Sequence, residues 1–567
     1  MAQYFIRLSN VRVLPRALAL CVIVLGLPSL AIGLQADDFV IARRVRSVPW
    51  DAYLFFPGGA ETNNLRMQGV LNWSASHDLK LHLLRPLASL SHALDFTLWP
   101  EVVWLMHLEN VLLYAAIVWI VALIYAELLG SEQSARLAAM FYAFCPGHAV
   151  SVGWVSSRNT LLSALLGLAT ILLFLRAKGG RTLAAVAPVC VHALALFAGE
   201  ATIAVMAPLL AYALVLDVGS WRSRALRVLP HIVLCGAYLV AYTKLGFGAA
   251  HGGMYLNAGQ QPWAVAQNLL VAVPLYLHSS LVLPHAGLAG LLPSGLWLLV
   301  LVTCVTLALL APWFLPVLRS DARARFLGLT ALGSILPLAA VTPQDRLVFF
   351  VGVGGCGLLA LCLTANGREP LRGWLPRTLF QLHTSAAVLA FVPLCFVCCS
   401  PAIGGGDSAL NDALTDPAGR DVVVLNVPVE TTLMSTISMR ERGHVTMPRS
   451  MRALYVGGAA YDVNRVDAQT IDVHVERGWF ANVLERIVRD PSAEPFAPGD
   501  VELTDRFSAR VLEVDTHGAP RRVRFRFASP LEDARWLWLR FEKARAVRWT
   551  PPRLHETQHL AAAASLF

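Results

Sequence analysis

The chain has 567 residues, 56% of them hydrophobic and 15% charged, with a mean hydropathy of +0.57. Soluble domains carry about a quarter charged residues, so this composition excludes a protein soluble along its whole length. The formal net charge of +9 does not mark a nucleic-acid binder, because the arginines sit in short loops between apolar runs, the pattern that orients membrane helices.

The first apolar run, 17–34, follows Arg7, Arg12 and Arg16. A basic flank before an apolar run also describes a secretory signal. The run is long enough to span a bilayer and many more follow, so it reads as a retained helix with a cytoplasmic N-terminus. It ends in "LQADDFVIARRV", which places Asp37 and Asp38 at the start of an outer loop, 35–102. Further spans are expected over 103–127, 134–153, 160–176, 182–198, 200–216, 226–244, 293–315, 325–342, 346–366 and 380–400. The loops with Arg176, Lys178 and Arg181, with Arg222, Arg224 and Arg227, with Arg319, Arg323 and Arg325, and with Arg368, Arg372 and Arg377 then all face the cytoplasm. The apolar stretch 263–288 breaks this alternation and contains Pro274, His278 and His285. It reads as a re-entrant or interfacial helix on the outer face. The expected architecture is a polytopic α-helical membrane domain, 1–400, with about eleven spans and an external C-terminus.

All ten cysteines lie in or beside apolar segments without metal-ligand or disulfide spacing, and read as small core side chains. After Ser400 the character changes. "GGGDSALNDALTDPAG" reads as a linker, and 421–429, 468–475, 506–514 and 521–529 alternate in the manner of strands. The segment 479–490 has helical spacing. A β-rich soluble region over 401–567 is expected on the non-cytoplasmic side.

The polar residues of the outer-face turns fall at the ends of different helices. They are Asp37 and Asp38, His82 and Arg85, His107 and Glu109, Arg158 and Asn159, Glu200, and Asp345 with Arg346. Each has an ordinary reading alone: an interface boundary for the aspartates, a snorkelling cation for Arg85, a helix N-terminal charge for Glu200, a satisfied buried pair for His107 and Glu109. Their convergence on one face is what suggests a site, because ionisable groups at membrane depth are costly. Arginine forks match phosphate oxygens. A carboxylate can take the proton of an attacking hydroxyl, worth roughly 10²–10⁴ in rate.

"ADDF", "RPLASLSHALDFTLWP", the H-x-x-N of His107 to Asn110, "SSRNTLLSALLGLATILLFLRA", the "GE" turn and "QDRLVFF" occur in the order seen in C-superfamily (GT-C) glycosyltransferases. Over about residues 15–366 the chain resembles the transmembrane O-mannosyltransferases that carry tetratricopeptide repeats, and more distantly the protein O-mannosyltransferases. The resemblance implies a polyprenyl- or dolichyl-phosphate sugar donor and inverting transfer, of mannose in those families, to a glycan, lipid or protein acceptor in the cell envelope. It implies Asp37 or Asp38 as general base, with Glu200 as a second acid. It implies Arg85, Arg158 and Arg346 on the lipid phosphate, with His82, His107, Glu109, Asn159 and Asp345 in support. Gly199 stands where the related families carry Lys, "DRLVF" replaces "ERYLY", and a β-rich tail replaces the repeats. No cofactor is expected with certainty. Adjacent carboxylates could hold a divalent cation, though the sequence offers no complete ligand set. Two other classes stay open: a transporter or flippase of lipid-linked glycans, and a non-catalytic envelope scaffold. The arginine-rich, lysine-poor loops point to a bacterial inner membrane.

Overall fold

The computed structural model describes residues 13–177, 182–292, 295–365, 373–399 and 406–562. Arg7, Arg12, Lys178, Arg181, Arg368, Arg372 and the start of the expected linker lie outside these.

The chain is a polytopic helical membrane protein with a β-rich C-terminal region. Among the described residues, seven helices are long and apolar enough to cross a membrane: Leu14–Ala31, Val103–Leu128, Val155–Arg176, Trp221–Lys244, Pro262–Leu281, Leu296–Ser320 and Trp374–Cys399. Ala185–Ala198, Glu200–Val215 and Phe349–Thr364 are shorter apolar helices. Two expected spans are not single helices. The 134–153 run breaks after Ala143, where Cys145 is extended before Pro146. The 325–342 run ends at Ile335, and Pro337 opens a separate 3₁₀ turn. Proline lacks the amide that would continue either helix and clashes with the preceding turn.

Phe349–Thr364 is the centre of the bundle, with every residue but Thr364 buried. Its glycines allow backbone contact: a Cβ on Gly354 would lie 2.4 Å from the Leu327 carbonyl, and one on Gly355 2.4 Å from Ser280 Oγ. Small residues at crossings are how membrane helices approach closely.

Two faces are distinguished by contacts. On one, Arg176 meets Glu127 at 2.9 Å, Arg227 meets Asp217 at 2.6 Å, and Arg323 lies against Gly130. The other carries Asp37. There, 80–82 pairs with both 54–57 and 248–250 in a three-stranded sheet. The helix Pro262–Leu281 is unbroken despite Pro274, yet both its flanks are fastened to the Asp37 face. Leu256 N–H donates to Ala340 O at 2.8 Å, and the Ala286 and Gly287 amides donate to the Asp345 carboxylate at 3.0 Å. Both flanks of this helix are thus held by the 337–346 turns.

The C-terminal region holds two sheets. One has six antiparallel strands in the order 557–560, 461–465, 470–475, 520–527, 507–514, 501–503. The other has the order 545–548, 536–542, 421–427, 450–456, with 421–427 parallel to both neighbours and buried throughout, as a central parallel strand must be. The helix Thr431–Arg442 is the crossover between two of those strands. The expected linker contains a helix, Gly406–Ala413, because Leu410 and Leu414 are spaced to enter the same core. The expected helix over 479–490 reduces to a 3₁₀ turn, Glu485–Val488. Trp479 and Phe480 are drawn into the β core, and Phe480 takes a φ of 61° that a helix excludes.

The first outer loop is built into this region. Trp73 is 2% exposed among Trp479, Phe496 and Phe525, and its indole N–H donates to Leu454 O at 2.8 Å. Asn72 N–H donates to Glu430 Oε1 at 2.7 Å.

Candidate active site

The two aspartates have different surroundings. Gln35 to Asp38 form a turn closed by Asp38 N–H donating to Gln35 O at 3.0 Å. The helix Asp37–Ser47 starts from it. Asp38 is 1% exposed. Its Oδ2 accepts the Gln35 N–H at 3.0 Å, and its Oδ1 accepts the Ser156 N–H at 2.7 Å and the Ser156 hydroxyl. Burial pushes its carboxyl up to about 7, while the Ser156 hydroxyl and the Gln35 and Ser156 amides pull it down. Asp38 is thus the tie between the end of the first helix and the start of Val155–Arg176.

Asp37 is partly exposed, and its carboxylate makes no hydrogen bond among the described residues. It sits in a recess dense enough for desolvation to push its carboxyl up to about 6, against the lowering pull of the Arg346 guanidinium. Arg346 follows the Pro337–Ala340 turn. Its Nε–H donates to Gln344 Oε1 at 2.6 Å, and its guanidinium lies 5.1 Å from the Trp154 ring centroid. Its two Nη groups make no hydrogen bond among the described residues, so their donors remain for a ligand.

Arg85 caps the start of Pro86–Leu98 and forms a two-point pair with Glu200, Nε to Oε2 at 2.9 Å and Nη2 to Oε1. Its guanidinium stands 5.0 Å over the Tyr53 ring. In the amide orientation that satisfies both its atoms, Asn159 accepts from Arg85 Nη1 at 3.1 Å. Most of the Arg85 fork is therefore committed to protein. A Cβ on Gly199 would lie 2.6 Å from Ser163 Oγ, so a Lys does not fit there without a shift.

Arg158 is not in the recess. It is 1% exposed, with Nη1 on Asp95 and on Glu109 at 2.8 Å, Nε on Asn110 at 3.0 Å and Nη2 on Met106 O at 2.8 Å. Saturated in this way, it fits a structural tie between three helices and not a phosphate ligand. Asp345 is also occupied, accepting from Ser279 Oγ at 2.8 Å and from the Ala286 and Gly287 amides. His82 pairs with Asp51 at 2.8 Å and stacks near Phe247. His107 and Glu109 do not pair: His107 is buried beside Ile32 and Gly33, while Glu109 turns to Arg158. The residues sequence reading missed are Asp95, Ser156, Trp154 and Tyr53. "SSRN" was visible as a motif, but nothing local marked Ser156 as the partner of Asp38.

Two clefts flank Val103–Leu128. One of about 320 Å³ is lined by Ser91, Glu109, Leu112, Leu113, Ala116 and Arg158, among others. An apolar one of about 520 Å³ continues from Ala116 past Trp119 and Ile120 to Arg16. Neither is lined by Asp37. Among the described residues, no three His, Cys, Asp or Glu side chains are grouped to hold a metal ion.

No protein-family model matches the sequence, and no curated protein matches it. Among solved structures, the chain is similar to ArnT from Cupriavidus metallidurans bound to undecaprenyl phosphate, with 14% identity over 78% of this chain and 89% of that one and a TM-score of 0.40. For ArnT in the apo state the values are 12%, 90%, 97% and 0.42. It is similar to the arabinofuranosyltransferase AftD from Mycobacteria at 15% identity over 78% of this chain, with a TM-score of 0.38, and spans about a third (33%) of that chain. All three are distant likenesses.

Proposed function

We propose that the protein is a membrane glycosyltransferase that moves a sugar from a polyprenyl-phosphate donor to a hydroxyl acceptor, with inversion, at the Asp37 face. That face would be the non-cytoplasmic side of a bacterial inner membrane. The observation that carries the reading is a carboxylate without a side-chain hydrogen bond, Asp37, within the electrostatic reach of the Arg346 guanidinium, whose two Nη groups are unspent, beside the end of a membrane helix. Asp37 takes the proton of the acceptor hydroxyl as its oxygen attacks the anomeric carbon. The carbon–oxygen bond to the lipid phosphate breaks, and polyprenyl phosphate leaves with the electron pair. Arg346 holds the phosphate as its charge grows. Glu200 keeps Arg85 oriented at the edge of the site, and Arg85 offers what remains of its fork. The apolar cleft along Val103–Leu128, with Leu20 and Trp119 exposed, suits the donor's tail. These charges gather at one face, whereas alternating access places its site near mid-membrane between repeated halves.

The test uses the full-length protein in liposomes with a polyprenyl-phosphate sugar labelled in the sugar and an envelope fraction as acceptor pool. Labelled product and free polyprenyl phosphate should appear together. Asp37→Asn should remain folded and lose roughly 10²–10⁴ in turnover. Undiminished transfer by Asp37→Asn would refute the assignment.

A further inference from the structure

The residue before the aspartate pair has an unusual backbone. Ala36 has φ 47° and ψ −119°. With Asp38 N–H bonded to Gln35 O, this is the second position of a type II′ turn, where φ is positive and glycine is the usual occupant. An alanine held there carries strain, and such strain persists only where surrounding structure over-determines it.

What holds it comes from far along the chain. The Ala36 N–H donates to Asp407 Oδ2 at 3.2 Å, and the Ala36 carbonyl accepts the Ser435 hydroxyl at 2.9 Å. Asp407 is 1% exposed and Ser435 is fully buried. They lie on Gly406–Ala413 and Thr431–Arg442, helices joined by the Thr436 hydroxyl donating to Asp407 O at 3.3 Å. The second helix also lies on Asp37–Ser47, with Arg43 and Glu441 3.0 Å apart. Both polar backbone atoms of the strained residue are thus bonded by the C-terminal region, the carbonyl sharing its Ser435 bond with a longer one from the Phe39 N–H at 3.3 Å. Asp38 anchors the other end of the turn to Ser156. Between the two anchors the Asp37 carboxylate has no hydrogen bond among the described residues, so its direction is set by the turn.

We infer that Asp407 and Ser435 are positioning residues that hold Ala36 in the turn that aims Asp37. The inference rests on the reading of Asp37 as the base. Without the two anchors, Ala36 relaxes to negative φ, the 35–36 and 36–37 peptides rotate, and Asp37 leaves its place facing Arg346. The C-terminal β-rich region is then a working part of the site.

The test compares full-length wild type, Ser435→Ala, Asp407→Asn, and Ser435→Ala combined with Ala36→Gly. Ser435→Ala should lower kcat roughly 10- to 100-fold with the donor KM little changed. Amide exchange across 34–40 should quicken in the same variant. Adding Ala36→Gly should restore most of the lost kcat, because glycine adopts this turn without strain. A merely structural loss would not be recovered by adding a flexible residue. Unchanged kcat and unchanged exchange in Ser435→Ala, or a further fall with Ala36→Gly, would overturn the inference; the exchange readout and Ser435→Ala decide it even where Asp407→Asn fails to fold. Asp37→Asn separates the two ideas. Full activity there sinks the base assignment, while an inactive Asp37→Asn beside a fully active Ser435→Ala sinks the positioning alone.

Discussion

Replacing Arg346 by glutamine should move the acid limb of the pH–rate profile upward. The base acts deprotonated, so activity is present at high pH and is lost as pH falls through the carboxyl's pKa. Burial puts Asp37 at about 6, and the Arg346 cation is what restrains it from rising further. In the wild type, about nine-tenths of Asp37 is ionised at pH 7 and about one-tenth at pH 5, so kcat/KM should fall about tenfold between them. A nearby opposite charge shifts a carboxyl by about one unit or more, so Arg346→Gln should place the limb near 7. The variant's deficit relative to wild type would then be about five times larger at pH 6 than at pH 8. Loss of phosphate contact lowers the whole curve equally and so separates from the shift. The assay is initial-rate transfer at subsaturating donor across pH 5 to 8.5. Asp38 offers the contrast: it stands at about 7, set chiefly by burial and by its bonds to Ser156 and Gln35 and not by Arg346. A limb near 7 that Arg346→Gln leaves in place would assign the base to Asp38 and refute the reasoning.

Arg158→Met should leave the Asp95 and Glu109 carboxylates without their cation and destabilise the protein by about 3–5 kcal/mol, seen as an early thermal transition in detergent. A phosphate-binding role would instead give a stable protein with a raised donor KM. Glu430, buried with its carboxyl pushed up to about 7, disfavours the folded state as pH rises from its unfolded value of 4.5 through 7. Glu430→Gln keeps the acceptor for the Asn72 amide and should therefore be more stable than wild type at pH 8, by up to about 3 kcal/mol, with the difference vanishing near pH 4.5. Equal melting of the two at pH 8 would contradict this.

The place of the candidate site was legible because an apolar run that stops at Gln35 and turns to two acids marks a membrane boundary whatever the fold. The division of labour between those acids was not. It depends on Ser156, 118 residues away, taking three-point hold of one carboxylate together with Gln35. Arg158 shows the same limit: a cation at a helix start looks available until Asp95 and Glu109 arrive from two other helices. Strands 421–427, 470–475, 507–514 and 520–527 were readable to within two residues, because valine-rich runs and, in the last two, alternation are local properties. The helix Gly406–Ala413 was hidden by neighbouring glycines, and the 479–490 helix was overruled by the pull of Trp479 and Phe480 into the core.

The burial of Trp73 against Leu454 joins residues 381 positions apart. During synthesis the first outer loop is complete while every strand that will cover it is still unmade. Leu71, Trp73 and Leu79 then have no apolar shelter of their own until about the last quarter of the chain, from Val423 onward, emerges. The loop must wait exposed, and contacts of such long sequence separation form slowly. A chain cut short near residue 400 would therefore insert its helices and still present a sticky, unfinished outer surface. Quality-control proteases should meet that surface before any substrate does.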